Sequence, residues 1–105
     1  MKTTEEKLEL IKLTVQSILP DSEVMLFGSR AKSSATENSD YDILVVTKQI
    51  LSPKDKFPIR TKIRKALLGH AILSDIIIQS NEELERNKKL PGHIIRRILT
   101  NVIVL

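Results

Sequence analysis

The chain has no cysteine and no tryptophan, only one tyrosine, two phenylalanines and three glycines among its 105 residues. Without cysteine there is no disulfide and no thiolate metal site, and the redox compartment is left open. With only two histidines, a structural zinc site lacks ligands. Few aromatics mean that the core must be aliphatic. Three scattered glycines cannot supply the Gly-x-Gly-x-x-Gly turn of a dinucleotide-binding fold. No apolar run approaches the length of a membrane span, and the N-terminus, Met1-Lys2-Thr3-Thr4-Glu5-Glu6, is too charged for a secretory signal. A cytoplasmic location with no membrane partner is therefore expected.

What remains is ordinary in bulk and uneven in detail. Hydrophobic residues make up 41% and charged residues 29%, as in a soluble single domain. The formal net charge is +4. The positive excess gathers in two segments, Lys54 to Lys65 and Arg86 to Arg97, the second with no acid at all. Such segments attract polyanions or an acidic protein surface; equally, they form solvated helix faces. Basic charge alone does not specify nucleic acid, and no two-helix recognition motif accompanies it.

Read in order, Leu8, Ile11, Val15 and Ile18 recur at helical spacing, with Leu10 and Leu13 widening the stripe. Thr4 stands at the cap, with Lys7 where a capping-box acid belongs, and Pro20-Asp21 closes the helix. Glu23 to Phe27 reads as a strand, Gly28-Ser29 as a turn, Arg30 to Ala35 as a short helix and Thr36 to Ser39 as a polar return loop. Asp40 to Val46 is a second strand, and its unbroken apolar run Ile43-Leu44-Val45-Val46 asks for cover on both faces. Ser52-Pro53-Lys54-Asp55 starts a helix, but Pro58 predicts a short first piece and a main helix from about Pro58 to Leu68. Its apolar positions are Ile59, Ile63, Ala66 and Leu67, and Gly69 stops it.

A third strand lies within His70 to Gln79. The box Ser80-x-x-Glu83 starts another helix with Leu84 and Leu90 as its apolar residues. Pro91-Gly92 breaks it, and His93 to Leu99 resumes a helical pattern. The tail Val102 to Leu105 is apolar to its last residue and packs either on the chain's own core or on a partner. Strands rich in Ile and Val with helices between them predict α/β or α+β packing, a small mixed sheet flanked by helices.

The chemistry concentrates between Val24 and Val46. A strand ends in Gly28-Ser29, and the next opens with Asp40-Tyr41-Asp42. Residues i and i+2 of a strand share a face, so Asp40 and Asp42 stand side by side and Tyr41 points away to a packing role. Asp75, inside the third hydrophobic run, is hard to explain as packing, because a buried aspartate without a partner is costly. If the third strand lies beside the second, the carboxylates of Asp40, Asp42 and Asp75 converge. Oxygen ligands in this number suit Mg²⁺. Two ions about 3.5–4 Å apart can share them, one activating an attacking hydroxyl and one holding a triphosphate. Asp75 then ligates the ion nearer the acceptor and accepts the hydroxyl proton. Ser29 and the N–H groups after Gly28 cradle outer phosphates, and Arg30 neutralises the departing pyrophosphate. The bland alternative for Arg30 is a surface arginine. His70 and His93 are too few and too separated to form an active centre, and Met25 and Phe27 are core residues.

Gly28-Ser29, ten intervening residues and Asp40-Tyr41-Asp42 resemble the signature of the nucleotidyltransferase superfamily related to DNA polymerase beta. Gly28-Ser29-Arg30-Ala31 and Ser39-Asp40-Tyr41-Asp42-Ile43-Leu44-Val45 are similar to its minimal members, the MntA-like antitoxins. Asp75 stands where the family's third catalytic carboxylate falls. The chain departs from the pattern at Ser33, where many members have Gly, and at Tyr41, where Ile is frequent. The resemblance implies a mixed sheet with flanking helices, Mg²⁺, ATP as donor, and AMP transfer to a tyrosine of a helical HEPN ribonuclease toxin. Two other readings stand beside it: an enzyme of the same chemistry acting on an RNA end or a small molecule, and a non-catalytic binding module that neutralises its partner through basic helices. A single domain of this length is expected to act without a second domain that grips a template, which favours an acceptor that is small or brings its own surface.

Overall fold

In the computed structural model, residues 2–31 and 40–105 are described. The predicted return loop, and most of the short helix expected over Arg30 to Ala35, lie outside them. The elements run α1 (Thr4–Ile18), β1 (Glu23–Phe27), a single 3₁₀ turn (Gly28–Arg30), β2 (Tyr41–Thr47), α2 (Pro53–Leu68), β3 (Ser74–Ser80), α3 (Asn81–Lys88), α4 (Ile94–Ile98) and β4 (Ile103–Val104). The sheet order is β3-β2-β1-β4. β2 pairs parallel with β3, and β1 pairs antiparallel with β2 and with β4. The fold is therefore the expected mixed sheet with flanking helices.

Alternation along the strands sorts side chains into two layers. Val24 and Leu26 of β1, Tyr41, Ile43 and Val45 of β2, and Ile76 and Ile78 of β3 pack against Ile11 and Val15 of α1 and Ile63 and Leu67 of α2. The opposite face puts Leu44 and Val46 against Leu84 of α3 and Ile95 and Ile98 of α4, with Met25, Phe27 and Ile77 half-buried beside them. β2 is thus covered on both faces, as its continuous apolar run requires.

Several local expectations are corrected. The cap of α1 is Thr3, not Thr4: the Glu6 amide donates to the Thr3 hydroxyl, and the Glu6 carboxylate accepts from the Thr3 N–H. Shifting the cap by one residue puts an acid, not Lys7, at the third helical position. Leu13 does not join the stripe and is 55% exposed. α2 is unbroken from Pro53 to Leu68, with Pro58 inside it. Pro58 deprives the Lys54 carbonyl of its donor, but both residues are exposed, so water can take the donor's place. The Ser52 cap, whose hydroxyl accepts from the Asp55 N–H, holds the first turn. Ala66 faces solvent instead of the core. The helix does end at Gly69, but Gly69 is right-handed; the left-handed residue is Ala71, at φ 60°.

β3 begins only at Ser74, and α3 stops at Lys88, leaving Leu90 47% exposed. The box that starts α3 is as expected: the Glu83 N–H donates to Ser80 Oγ, and the Glu83 carboxylate accepts from the Ser80 N–H. The other Glu83 oxygen meets Lys56 Nζ at 2.7 Å, which ties α2 to α3. His93 caps α4 by accepting from the Ile95 N–H at Nδ1, the structural role expected of it. The apolar tail turns back onto the chain's own sheet: Ile103 and Val104 pair with β1, and Leu105 packs on the α1–α2 layer.

Candidate active site

Asp42 and Asp75 are direct neighbours in the parallel β2–β3 register. Adjacent strands lie about 4.8 Å apart, and paired residues project from the same face, so the two carboxylates stand side by side. That face is the α3–α4 side, because Asp42 alternates with Tyr41 and Ile43, which point into the other layer. Asp40 precedes β2 by one residue and is exposed. Burial, then the charge of Asp75, then that of Asp40, raise the Asp42 pKa above its ordinary value. The expected trio is thus brought close enough to interact through Asp42. Among the described residues, no group of three or more His, Cys, Asp or Glu is placed to hold a metal ion as it stands.

One premise about Asp75 does not hold. It is exposed at the start of β3, ahead of the buried Ile76, and not sunk within a hydrophobic run. Its position needs no ion to relieve burial. What it has instead is a like-charged neighbour in register. Asp42 and Asp75 side by side are hard oxygen donors of the kind Mg²⁺ takes; the part of the Asp42 shift that comes from like charge, beyond burial, is what a divalent cation would offset.

The turn after β1 is built against this pair. Phe27 is the cross-strand partner of Asp42, so Gly28 follows directly beside that carboxylate. Gly28 has φ +74°, and a Cβ built on it would overlap Asp42 Oδ2 and stand 3.1 Å from its Cγ. Glycine is required here twice over, by the left-handed backbone and by the close approach. Ser29 and Arg30 complete the 3₁₀ turn, and the Ala31 N–H closes it on the Gly28 carbonyl.

Arg30 ends the turn, half-buried. Its guanidinium lies over the Tyr41 ring, 4.3 Å from the centroid, a cation–π contact. Tyr41 is 3% exposed and belongs to the α1–α2 layer, so its packing role is as expected. His70 lies exposed in the turn after α2.

The sequence reading missed the other wall of the site. A cavity of about 210 Å³ is lined by Phe27 and Gly28 on one side and by Ile94, Arg97, Ile98 and Asn101 on the other. Arg97 and Asn101 come from α4 and the turn after it. Their only signal was Arg97's place in a basic segment without acids.

Comparison with known proteins agrees with this architecture. A family model described as the nucleotidyltransferase domain matches residues 8–104. The probable protein adenylyltransferase MntA of Haemophilus influenzae is 33% identical over 61 residues, which are 58% of this chain and 50% of that protein. The matching region thus spans half the length of this curated relative. Among solved structures, a toxin–antitoxin with AMP-PNP aligns at a TM-score of 0.61 and 20% identity, over 97% of this chain and 72% of the other. A tri-AMPylated Shewanella oneidensis HEPN toxin in complex with the MNT antitoxin aligns at 0.62 and 16%, over 97% and 71%. At these identities the structural likeness speaks for the fold. The family model covers nearly the whole chain, including the glycine turn and all three aspartates, and on that ground the chain belongs to the nucleotidyltransferase domain family and is similar to its minimal, MntA-like members.

Proposed function

We propose that the protein is an Mg²⁺- and ATP-dependent adenylyltransferase that moves AMP onto a tyrosine hydroxyl of a HEPN-family toxin and so acts as its antitoxin. The observation that carries this reading is the in-register pair Asp42 and Asp75, set against a glycine turn that tolerates no side chain. The acceptor is inferred from relatives: one is a probable protein adenylyltransferase, and one structural neighbour holds an AMPylated HEPN toxin with its antitoxin.

Asp40, Asp42 and Asp75 would hold Mg²⁺, which would supply Lewis acidity toward the α-phosphate and lower the pKa of the acceptor hydroxyl. The reaction forms a bond from the tyrosine oxygen to the α-phosphorus and breaks the α–β phosphoanhydride bond. Pyrophosphate leaves, and the hydroxyl proton passes to Asp75 or to water. Asp75 suits proton acceptance because it is exposed at the edge where an acceptor can approach. Ser29 and the amides of the turn suit the outer phosphates. Arg30, at the end of the same turn, would neutralise charge on the departing pyrophosphate.

Incubation of the purified protein with α-labelled ATP, Mg²⁺ and its cognate HEPN protein tests the proposal. Label on a tyrosine of the partner, lost with Asp42→Asn, is the expected result. Label on RNA alone, or partner neutralisation unchanged by Asp42→Asn, would refute it.

A further inference from the structure

Arg97 is unused by the reading above, yet it lines the same cavity as Gly28. Two links tie that cavity to the carboxylates. Phe27, which also lines it, is the register partner of Asp42. Gly28 abuts the Asp42 carboxylate itself. Ile95 and Ile98 anchor α4 in the core, leaving Arg97 exposed beside the cavity. No acid lies between Arg86 and Arg97 to neutralise it locally, and neither salt bridge among the described residues involves it.

We infer that Arg97 is a second anion clamp for the nucleotide, gripping the β- and γ-phosphates from the α4 side while the Gly28 turn holds them from the sheet side. The inference rests on the proposed nucleotide site but not on the identity of the acceptor. A triphosphate carries more negative charge than the cations at one carboxylate cluster offset, and a guanidinium offers planar, paired donors to phosphate oxygens. The cavity would take the phosphate tail of the nucleotide. Asn101, on the same wall, is an amide donor to the same oxygens. An adenine base would use this pocket differently, with Asn101 bidentate to its edge and Arg97 stacked on its plane. The two occupancies are separable by experiment.

The test is nucleotide binding in Mg²⁺ by calorimetry, without any acceptor, using ATP, ADP and AMP. The expected result is that Arg97→Ala weakens ATP by about 10- to 100-fold, the loss of a charge-assisted contact. AMP should change by less than about twofold, and Arg97→Lys should recover part of the ATP loss. Arg96→Ala, a neighbour outside the cavity, serves as the control and should bind as wild type. Equal losses for ATP and AMP would overturn the inference in favour of base or ribose contact. So would an Arg97→Ala protein that still prefers ATP over AMP as wild type does. If wild type binds no nucleotide, the proposed function falls with the clamp; if wild type binds and discriminates while Arg97→Ala does too, only the clamp falls. Arg97→Met keeps the side-chain bulk and guards against a packing artefact, and should reproduce the Ala result.

Discussion

Gly28→Ala isolates the close approach on which the site depends, because the chain supplies its own control. Gly28 and Gly92 both have positive φ, +74° and +77°. A Cβ on Gly92 meets nothing within 4 Å, whereas one on Gly28 overlaps the Asp42 carboxylate. Both substitutions force alanine into the left-handed region, at about 1–2 kcal/mol, partly offset by about 0.4–1 kcal/mol from a less flexible unfolded chain. Gly92→Ala should therefore lose about 0.5–1 kcal/mol, or roughly 2–8 °C in Tm. Gly28→Ala adds overpacking of about 1–3 kcal/mol, unless Asp42 rotates away. Rotation preserves stability but moves the carboxylate, and a displacement near 1 Å costs on the order of 100-fold in rate. Thermal unfolding, with and without Mg²⁺ and ATP, and AMP transfer should be measured on both variants. The expected outcome is a near-normal Gly92→Ala and a Gly28→Ala that is either less stable by the extra term or inactive. A Gly28→Ala protein matching Gly92→Ala in Tm, in its Mg²⁺ and ATP response and in transfer would refute the reasoning.

Asp42→Asn and Asp75→Asn should each abolish transfer and the Tm increase produced by Mg²⁺ with ATP. The nucleotide-free fold should hold or rise in Tm, since each removes like-charge repulsion around Asp42; a clear fall in Tm without ligand would contradict this. Burial pushes the Glu83 carboxyl up, but the hydrogen bond from Lys56 and the Ser80 cap outweigh it and hold its pKa below the ordinary 4.5. A depressed carboxylate contributes stability that is present above its unfolded pKa and is lost as pH falls through its folded one. Wild type should thus lose stability on acidification below about 4.5, and Glu83→Gln should flatten that part of an acid-unfolding curve. Glu83→Gln should also cost about 1–3 kcal/mol at pH 7, because it leaves the half-hidden Lys56 ammonium without its anion; chemical denaturation reads this directly. Pro58→Ala restores a donor to the Lys54 carbonyl in mid-helix and should stabilise by up to about 3 kcal/mol; a Tm decrease would show that Pro58 is packed for a purpose.

Much of this protein is legible in its residues because the signals are local. β1 was delimited by turn formers, α3 by a complete capping box, and β2 by a continuous apolar run that demanded two covered faces. The Gly28-Ser29 to Asp40-x-Asp42 spacing marked the candidate site, since the chemistry of phosphate and divalent cation restricts both residue type and order. Where local cues competed, neighbours decided. Pro58 reads as a break, yet it follows a first turn held by the Ser52 cap and is exposed to water, so the helix passes through it. Thr3 and Thr4 are equivalent caps until Glu6 is seen folding back on one of them.

The remainder required the third dimension. Spacing put Asp40 and Asp42 on one strand, but only the parallel register of β2 and β3 set Asp75 against Asp42, because strand pairing joins residues thirty-three positions apart. The fold also leaves Asp75 exposed at the start of β3 and not buried within its apolar run. The sheet's alternation assigned Tyr41 to one face and Asp42 and Asp75 to the other. The return of α4 over that second face delivered Arg97 to the Gly28 cavity. No periodicity in the sequence encodes that meeting; it follows from two hydrophobic faces, each of which had to be covered.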